Sequence, residues 1–357
     1  MEAQRTSLIP GAYFPANMRN PEQNDVLSEL SKYGCIGKDN IHLIDTSRSA
    51  DDIRLNYIID KKWVLRLCNA PDMTEQRLAE LNRLIDRYIA FGLRCPRFLP
   101  DQSGRFFHEW NGLVCCLQEY IDLPTAEELK LEPQEEERIW QEVLDSVAGF
   151  AEAYRNVDLS QTMGMYSLFD LAPYDIPAGK DEKQQNLDKL CEALQKIGES
   201  SLAERLTDRH RQIRDRLRSV YHTLPRCVFQ ADENLSNILV DERRHLAGLI
   251  DFNMAGTEVI VNQFANLCGG FREEVLEPIG AGTRMAYAMD SYRKYQERMF
   301  QIYRASEQEK QAIRWYSWIA LTAGWPQLCF FLYGLKNEPL RSEILELLAL
   351  LADHSCD

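Results

Sequence analysis

An α+β fold of two lobes is what this sequence predicts, the first lobe small and β-rich, the second larger and mostly helical. Three observations carry the prediction. Short apolar runs marked by turns fill much of residues 41–120, with a period of two at Ile53, Leu55, Tyr57 and Ile59. Beyond Leu123-Pro124 apolar residues recur at helical spacing. Within that helical part, a strand-loop-strand island interrupts at Arg226–Asp251. The implied divisions are an N-terminal extension over residues 1–40, a first lobe over 41–121 and a second over 122–357.

The extension holds a short amphipathic helix near Asn24–Tyr33. Ile41–Thr46 reads as a strand, and Ile53, Leu55, Tyr57 and Ile59 put the inward face of the next one at alternate positions. Asp60-Lys61-Lys62 turns the chain into a returning strand, Trp63–Cys68. A helix follows from about Met73, capped by Thr74, to Phe91, and Gly92 stops it. Arg94–Leu99 is extended, and Arg105–Trp110 with Leu113–Tyr120 forms a hairpin about Asn111-Gly112. In the second lobe, Ile139, Trp140, Val143, Leu144, Val147, Ala151 and Tyr154 make a helical stripe. Asp181–Leu217 reads as two charged helices broken near Gly198.

Charge narrows the partners. Asp and Glu number 55 against 41 Lys and Arg, a net charge of −14, so a nucleic acid would be repelled and a neutral or cationic small molecule fits better. Ten cysteines include no CxxC pair and the six histidines no HxxxH spacing, which predicts reduced thiols in a cytoplasmic protein and no structural zinc. Trp315–Leu335 runs 21 residues without a formal charge, long enough to span a bilayer. Gly324, Pro326 and Gln327 interrupt it, so a broken pair of buried helices is the reading, without a membrane. Oligomeric state leaves no signal in the spacing.

The island carries the chemistry. It reads Cys227-Val-Phe-Gln-Ala-Asp-Glu-Asn-Leu-Ser-Asn-Ile-Leu-Val240, then Leu249-Ile-Asp-Phe-Asn-Met-Ala-Gly256. Apolar runs on both sides of a charged turn at Asp241–Arg244 predict a buried hairpin that presents acids from its ends. This pair of segments resembles the signature of the aminoglycoside phosphotransferases and their choline- and homoserine-kinase-like relatives. The resemblance spans about residues 41–270 and is strongest at 227–256. It implies a bilobal protein-kinase-like fold and a phosphotransferase moving the γ-phosphate of ATP or GTP to a small-molecule hydroxyl. Asp232 then stands at the catalytic-base position, with Asn237 and Asp251 as Mg²⁺ ligands. The chemistry suits these residue types. Mg²⁺ prefers hard oxygen donors, and a carboxylate can orient a hydroxyl and take its proton as the O–P bond forms.

Other positions follow from the same resemblance. Arg66, on the third strand, would contact the nucleotide phosphates, with Glu80 as its ion-pair partner and Glu75 the next candidate. The adenine would lie against Gln118–Ile121, where Glu119 and Ile121 offer backbone groups. Residues 46–52 form the only candidate phosphate loop; they lack Gly-x-Gly, and Ser47 and Ser49 are its hydroxyl donors. The helical remainder would shape the acceptor pocket, with Trp315, Trp318, Trp325, Glu273 and Glu274 available but none assigned.

Three departures stand out. Gln230 replaces the family histidine before the base, Ala231 replaces a glycine, and Phe264–Leu267 carries no acid where the family has Asp-Leu-Ala. A glutamine amide can make the loop-bracing bonds of a histidine. A second reading, a pseudokinase that binds nucleotide or ligand with little turnover, rests on these departures. A protein-kinase activity has less support, since no Ala-Pro-Glu element follows Asp251.

Overall fold

The computed structural model describes residues 23–34, 40–47, 49, 52–69, 73–162, 182–271 and 277–354. The chain divides into two compact units. One comprises Met1–Leu129, Leu235–Arg243 and Ala247–Ile250; the other comprises Lys130–Asn234, Arg244–Leu246 and Asp251–Asp357.

In the first unit, helix α1 (Gln23–Lys32) precedes the strands β1 (Ile41–Asp45), β2 (Arg54–Ile59) and β3 (Trp63–Cys68). Helix α2 (Glu75–Ala90) separates these from β4 (Phe98–Leu99), β5 (Phe107–Trp110) and β6 (Leu113–Glu119). They form one sheet in the order β1-β2-β3-β6-β4, with β5 also on β6, and every pairing is antiparallel. The period-two reading holds: Leu55, Tyr57 and Ile59 are buried on β2, in one core with Leu65, Leu67, Leu113 and Leu117. Helix α1 adds Val26 and Leu30 to that core.

Both hairpin turns owe their shape to the sequence. Asp60 and Lys61 have φ of 50° and 51°, and Asn111 and Gly112 have 49° and 80°. Two successive positive φ values define the type I′ turn, whose twist matches that of the strands it joins. Thr74 caps α2 by accepting the Arg77 N–H at 3.0 Å, and Gly92, at φ 107°, ends it. The extended segment after α2 contributes only two residues of strand. Asn82 on α2 holds it, bonding both the N–H and the carbonyl of Phe98 at 2.8 Å.

The second unit is mostly helical, with α3 (Pro133–Tyr154), α4 (Glu182–Lys196) and α5 (Ser200–Val220) before the island. The island holds β7 (Arg226–Phe229) and β10 (Gly256–Val259) of this unit, together with β8 (Ile238–Val240) and β9 (Leu246–Leu249), which but for Leu246 belong to the first unit. Helices α6 (Ile260–Leu267), α7 (Ala281–Ile302), α8 (Glu307–Ala323), α9 (Trp325–Lys336) and α10 (Glu338–Asp353) complete the second unit. The stripe on α3 is seen as expected at Ile139, Val143, Leu144, Val147 and Ala151, but Trp140 is half-buried while Phe150 is wholly buried. Between α4 and α5, Gly198 takes φ 90°. At Gly324, α8 and α9 bend by 41°, and no single helix among the described residues is long and apolar enough to cross a membrane. Trp318 is buried and donates to the Leu351 carbonyl, whereas Trp325 is 54% exposed. Glu273 and Glu274 lie outside the described residues.

The island departs from the expected strand-loop-strand: it is two separate two-stranded sheets, β7 with β10 and β8 with β9. The polar pair Thr257-Glu258, wholly buried on β10, breaks the apolar pattern that would have announced a strand. In the first unit, β8 is held by Ala126 N–H to Ile238 O (2.9 Å) and Val240 N–H to Pro124 O (3.0 Å). Beside it, Arg94 donates to Ala247 O and accepts from Leu249 N–H. A Cβ on the intervening Gly248 would fall 2.0 Å from the Arg94 carbonyl oxygen, so only glycine permits this docking.

The second unit also buries an ion pair. Arg284 on α7 donates its Nε to Glu343 on α10, with 1% and 7% of the two residues exposed. Glu343 also accepts the Gly280 N–H at 2.6 Å, while Arg284 donates to the Glu277 carbonyl at 2.8 Å and lies over the Phe330 ring. Among the described residues the cysteines are free thiols. Cys95, Cys115, Cys116, Cys191, Cys227 and Cys268 are buried, Cys68 is half-buried and Cys329 is exposed. Burial pushes the Cys95 and Cys116 thiols up to about 12.

Candidate active site

The register of β7 and β10 sets Phe229 opposite Gly256, so the residues after one strand and before the other emerge together. Gln230 sits in this gap with no exposed surface. Its Oε1 accepts the Asp232 N–H at 2.7 Å, and its Nε2 donates to the Asp251 carbonyl at 2.8 Å. One buried amide thus fixes the backbone of both acids. The bracing expected of Gln230 is present in its geometry.

Local bonds orient the acids further. Asn234 donates its Nδ2 to Asp232 Oδ1 at 2.8 Å and its N–H to the Asp232 carbonyl at 2.9 Å. Asp251 has φ 56° and ψ 77°, a left-handed conformation, and opens a 3₁₀ turn over Phe252–Met254. Ala231 is left-handed as well, at φ 65°. An alanine there costs about 1–2 kcal/mol that glycine avoids, against roughly 0.4–1 kcal/mol of added chain entropy in the unfolded state. Ala231→Gly is therefore expected to raise unfolding stability by about 0.5–1 kcal/mol. Urea denaturation measures this, and a destabilised variant would mean that the alanine methyl has a packing role.

Asn237 ends the loop just before β8, is 6% exposed, and accepts the Ile250 N–H through its backbone carbonyl at 3.0 Å. Ile250 immediately precedes Asp251. An amide oxygen and a carboxylate are both hard donors, and Mg²⁺ commonly takes only one or two protein ligands, with water and phosphate completing its shell. The residue types fit that cation. Among the described residues, no cluster of three or more His, Cys, Asp or Glu side chains would form a self-sufficient metal cage.

The loop contains a residue that sequence reasoning passed over. Glu233 is 6% exposed and accepts Gln263 Nε2 from α6 at 3.0 Å. Burial pushes its carboxyl up to about 7, and the charge of Asp232 adds to the rise. Two polar residues 30 positions apart leave no periodic trace, so nothing in the pattern could pair them.

The remaining expected residues lie in the first unit. Arg66 is half-buried on β3 and donates to Gln118 Oε1 on β6 at 3.3 Å, which brings it to the strand leading into Glu119. Glu119 accepts the Arg97 N–H on its side chain and donates its own N–H to Arg97 O. Ile121 accepts from the Leu123 N–H. Glu80 is buried on α2 and accepts from Gln76, while Glu75 accepts the Phe106 N–H. Ser47 is buried too, its hydroxyl accepting the Arg54 N–H.

A cleft of about 980 Å³ opens in the second unit. Trp140, Tyr287 and Tyr295 give it aromatic faces, and Glu136, Asp290 and Asn266 give it polar ones. The last of these lies on α6, one turn beyond Gln263, and accepts Lys183 Nζ at 3.0 Å. The helix that contacts the Asp232 loop therefore also lines the cleft.

Known proteins share the family and the fold. The model of the phosphotransferase enzyme family matches residues 48–298. No curated protein matches the chain. Among solved structures, the streptomycin–ATP–APH(2")-IIa ternary complex aligns with a TM-score of 0.51 at 17% identity, covering 94% of this chain and 99% of that one. Amicoumacin kinase hAmiN, in complex with AMP-PNP, Ca²⁺ and Ami, aligns with a TM-score of 0.52 at 11% identity, covering 93% and 94%. Spectinomycin phosphotransferase APH(9)-Ia, in complex with ADP and spectinomycin, gives 0.51 at 12%, again covering 93% and 94%.

Proposed function

Since the chain belongs to the phosphotransferase enzyme family, we propose that it transfers the γ-phosphate of ATP or GTP to a hydroxyl of a small molecule. The observation that carries this reading is the Gln230 brace, which fixes Asp232 and Asp251 in one constellation. Asp232 orients the acceptor hydroxyl and takes its proton as the new O–P bond forms and the bond to the β-phosphate breaks. Asn237 and Asp251 hold Mg²⁺. When bound, that cation neutralises charge developing on the phosphate oxygens. Arg66 meets the phosphates with Glu80 as its partner, and the backbone at Glu119 and Ile121 receives the base.

The cleft of the second unit is our acceptor site. Its aromatic faces and acids suit an aminoglycoside, an amino alcohol or a sugar derivative, and a chain carrying −14 favours a cationic one. The similar structures held streptomycin or spectinomycin alongside a nucleotide, which supports a small hydroxylated acceptor. Free, mostly buried thiols support a cytoplasmic setting.

The test is nucleotide consumption with Mg²⁺ over a panel of aminoglycosides, amino alcohols and sugars. Acceptor-dependent release of nucleoside diphosphate is expected. Nucleotide binding without turnover on a broad panel would favour the pseudokinase reading, and no Mg²⁺-nucleotide binding would overturn the phosphotransferase reading.

A further inference from the structure

Glu233 has no part in that reaction, yet it is a nearly inaccessible carboxyl beside the base. An apolar side chain would fill the space without the cost of burying an acid. Its surroundings explain the choice. Its Oε2 takes Gln263 Nε2 at 3.0 Å, the one hydrogen bond the carboxylate makes among the described residues, while its Oε1 is buried without a partner there. Gln263 is 1% exposed and belongs to α6, which packs on α8 and whose Asn266 lines the cleft.

We propose that Glu233 is a positioning residue: through Gln263 it ties the loop bearing Asp232 to α6, and so holds the base in register with the cleft. The inference rests on the assignment of Asp232 as base and of the cleft as acceptor site. A tether of this kind affects the catalytic step more than nucleotide affinity, because the nucleotide-binding residues Arg66, Glu119 and Ile121 are not part of it. It also depends on an accepting oxygen rather than on charge. Glutamine at position 233 retains such an oxygen and alanine does not.

The experiment compares Glu233→Ala, Glu233→Gln and Gln263→Ala by steady-state kinetics and by amide hydrogen exchange of the intact chain. A misplacement near 1 Å costs on the order of a hundredfold, so the two alanine variants should lose about tenfold to a hundredfold in kcat with the nucleotide KM within about twofold. Glu233→Gln should stay within about threefold of the wild-type kcat. Exchange of the amides of residues 231–234 should speed up about tenfold in Gln263→Ala and hardly change in Glu233→Gln. Gln263→Ala keeps the proposal testable if Glu233→Ala fails to fold. Unchanged kcat and exchange in the alanine variants would overturn the proposal, as would a glutamine variant as impaired as alanine. Exchange needs no substrate, so it decides the tether even if the phosphotransferase reading itself fails.

Discussion

Replacing Asp232 with asparagine should lower kcat by about 10²–10⁴-fold while Mg²⁺-nucleotide affinity stays near that of the wild type. Asparagine keeps the shape of the side chain and an Oδ1 able to accept from Asn234, as Asp232 does now at 2.8 Å. The Gln230 bond reaches the backbone N–H of position 232, so it survives the substitution too. On the proposed mechanism, what disappears is the site for the proton leaving the acceptor hydroxyl. The loss should therefore fall on turnover rather than on binding, which single-turnover kinetics and nucleotide titration separate. A variant retaining more than about a tenth of wild-type kcat would remove Asp232 from the chemistry.

The largest stability effect is expected at Glu343. Alanine there would leave the Arg284 guanidinium buried and without its carboxylate, a loss of about 3–5 kcal/mol. The desolvation already incurred by Arg284 decides the size, since the pair itself is worth much less than the cost of breaking it. Consequently the double variant Arg284→Met with Glu343→Leu should recover most of the loss. Denaturation followed by tryptophan fluorescence checks both. If Glu343→Ala cost under about 1 kcal/mol, water would have to reach the guanidinium in the folded protein.

Legibility in the sequence followed the range of the interaction. The strands of the first unit and the places of their turns were readable because apolar patterning and the turn residues at Asp60-Lys61-Lys62 and Asn111-Gly112 are local signals, whereas the turn type came from the backbone. The Thr74 cap and the break at Gly324 were readable for the same reason. The pairing of β7 with β10 was not, because a register joining Arg226 to Val259 depends on tertiary contacts and on two buried polar residues that mask the strand. At the candidate site, Asp232, Asn237 and Asp251 were picked out by their resemblance to a family signature rather than by spacing alone, and the bracing by Gln230 could be anticipated from the donors of an amide. The Glu233–Gln263 bond could not, since Glu233 is an unspecified position within the Asp232–Asn237 spacing and its partner lies 30 residues on. Trp140 misled for a different reason. Its helical position is consistent with a core residue, but its ring faces a cleft that other helices complete.

The thiols have an experimental consequence. Among the described cysteines, a maleimide or disulfide reagent added to the native protein should react first at Cys329, the exposed one. Cys95, Cys115 and Cys116 lie in the first unit, and Cys191, Cys227 and Cys268 in the second, all buried. Each becomes labelled only when the chain around it opens. Mass-resolved trapping rates would thus give a separate opening free energy for each unit, using reporters already present in the native chain and no engineered probe.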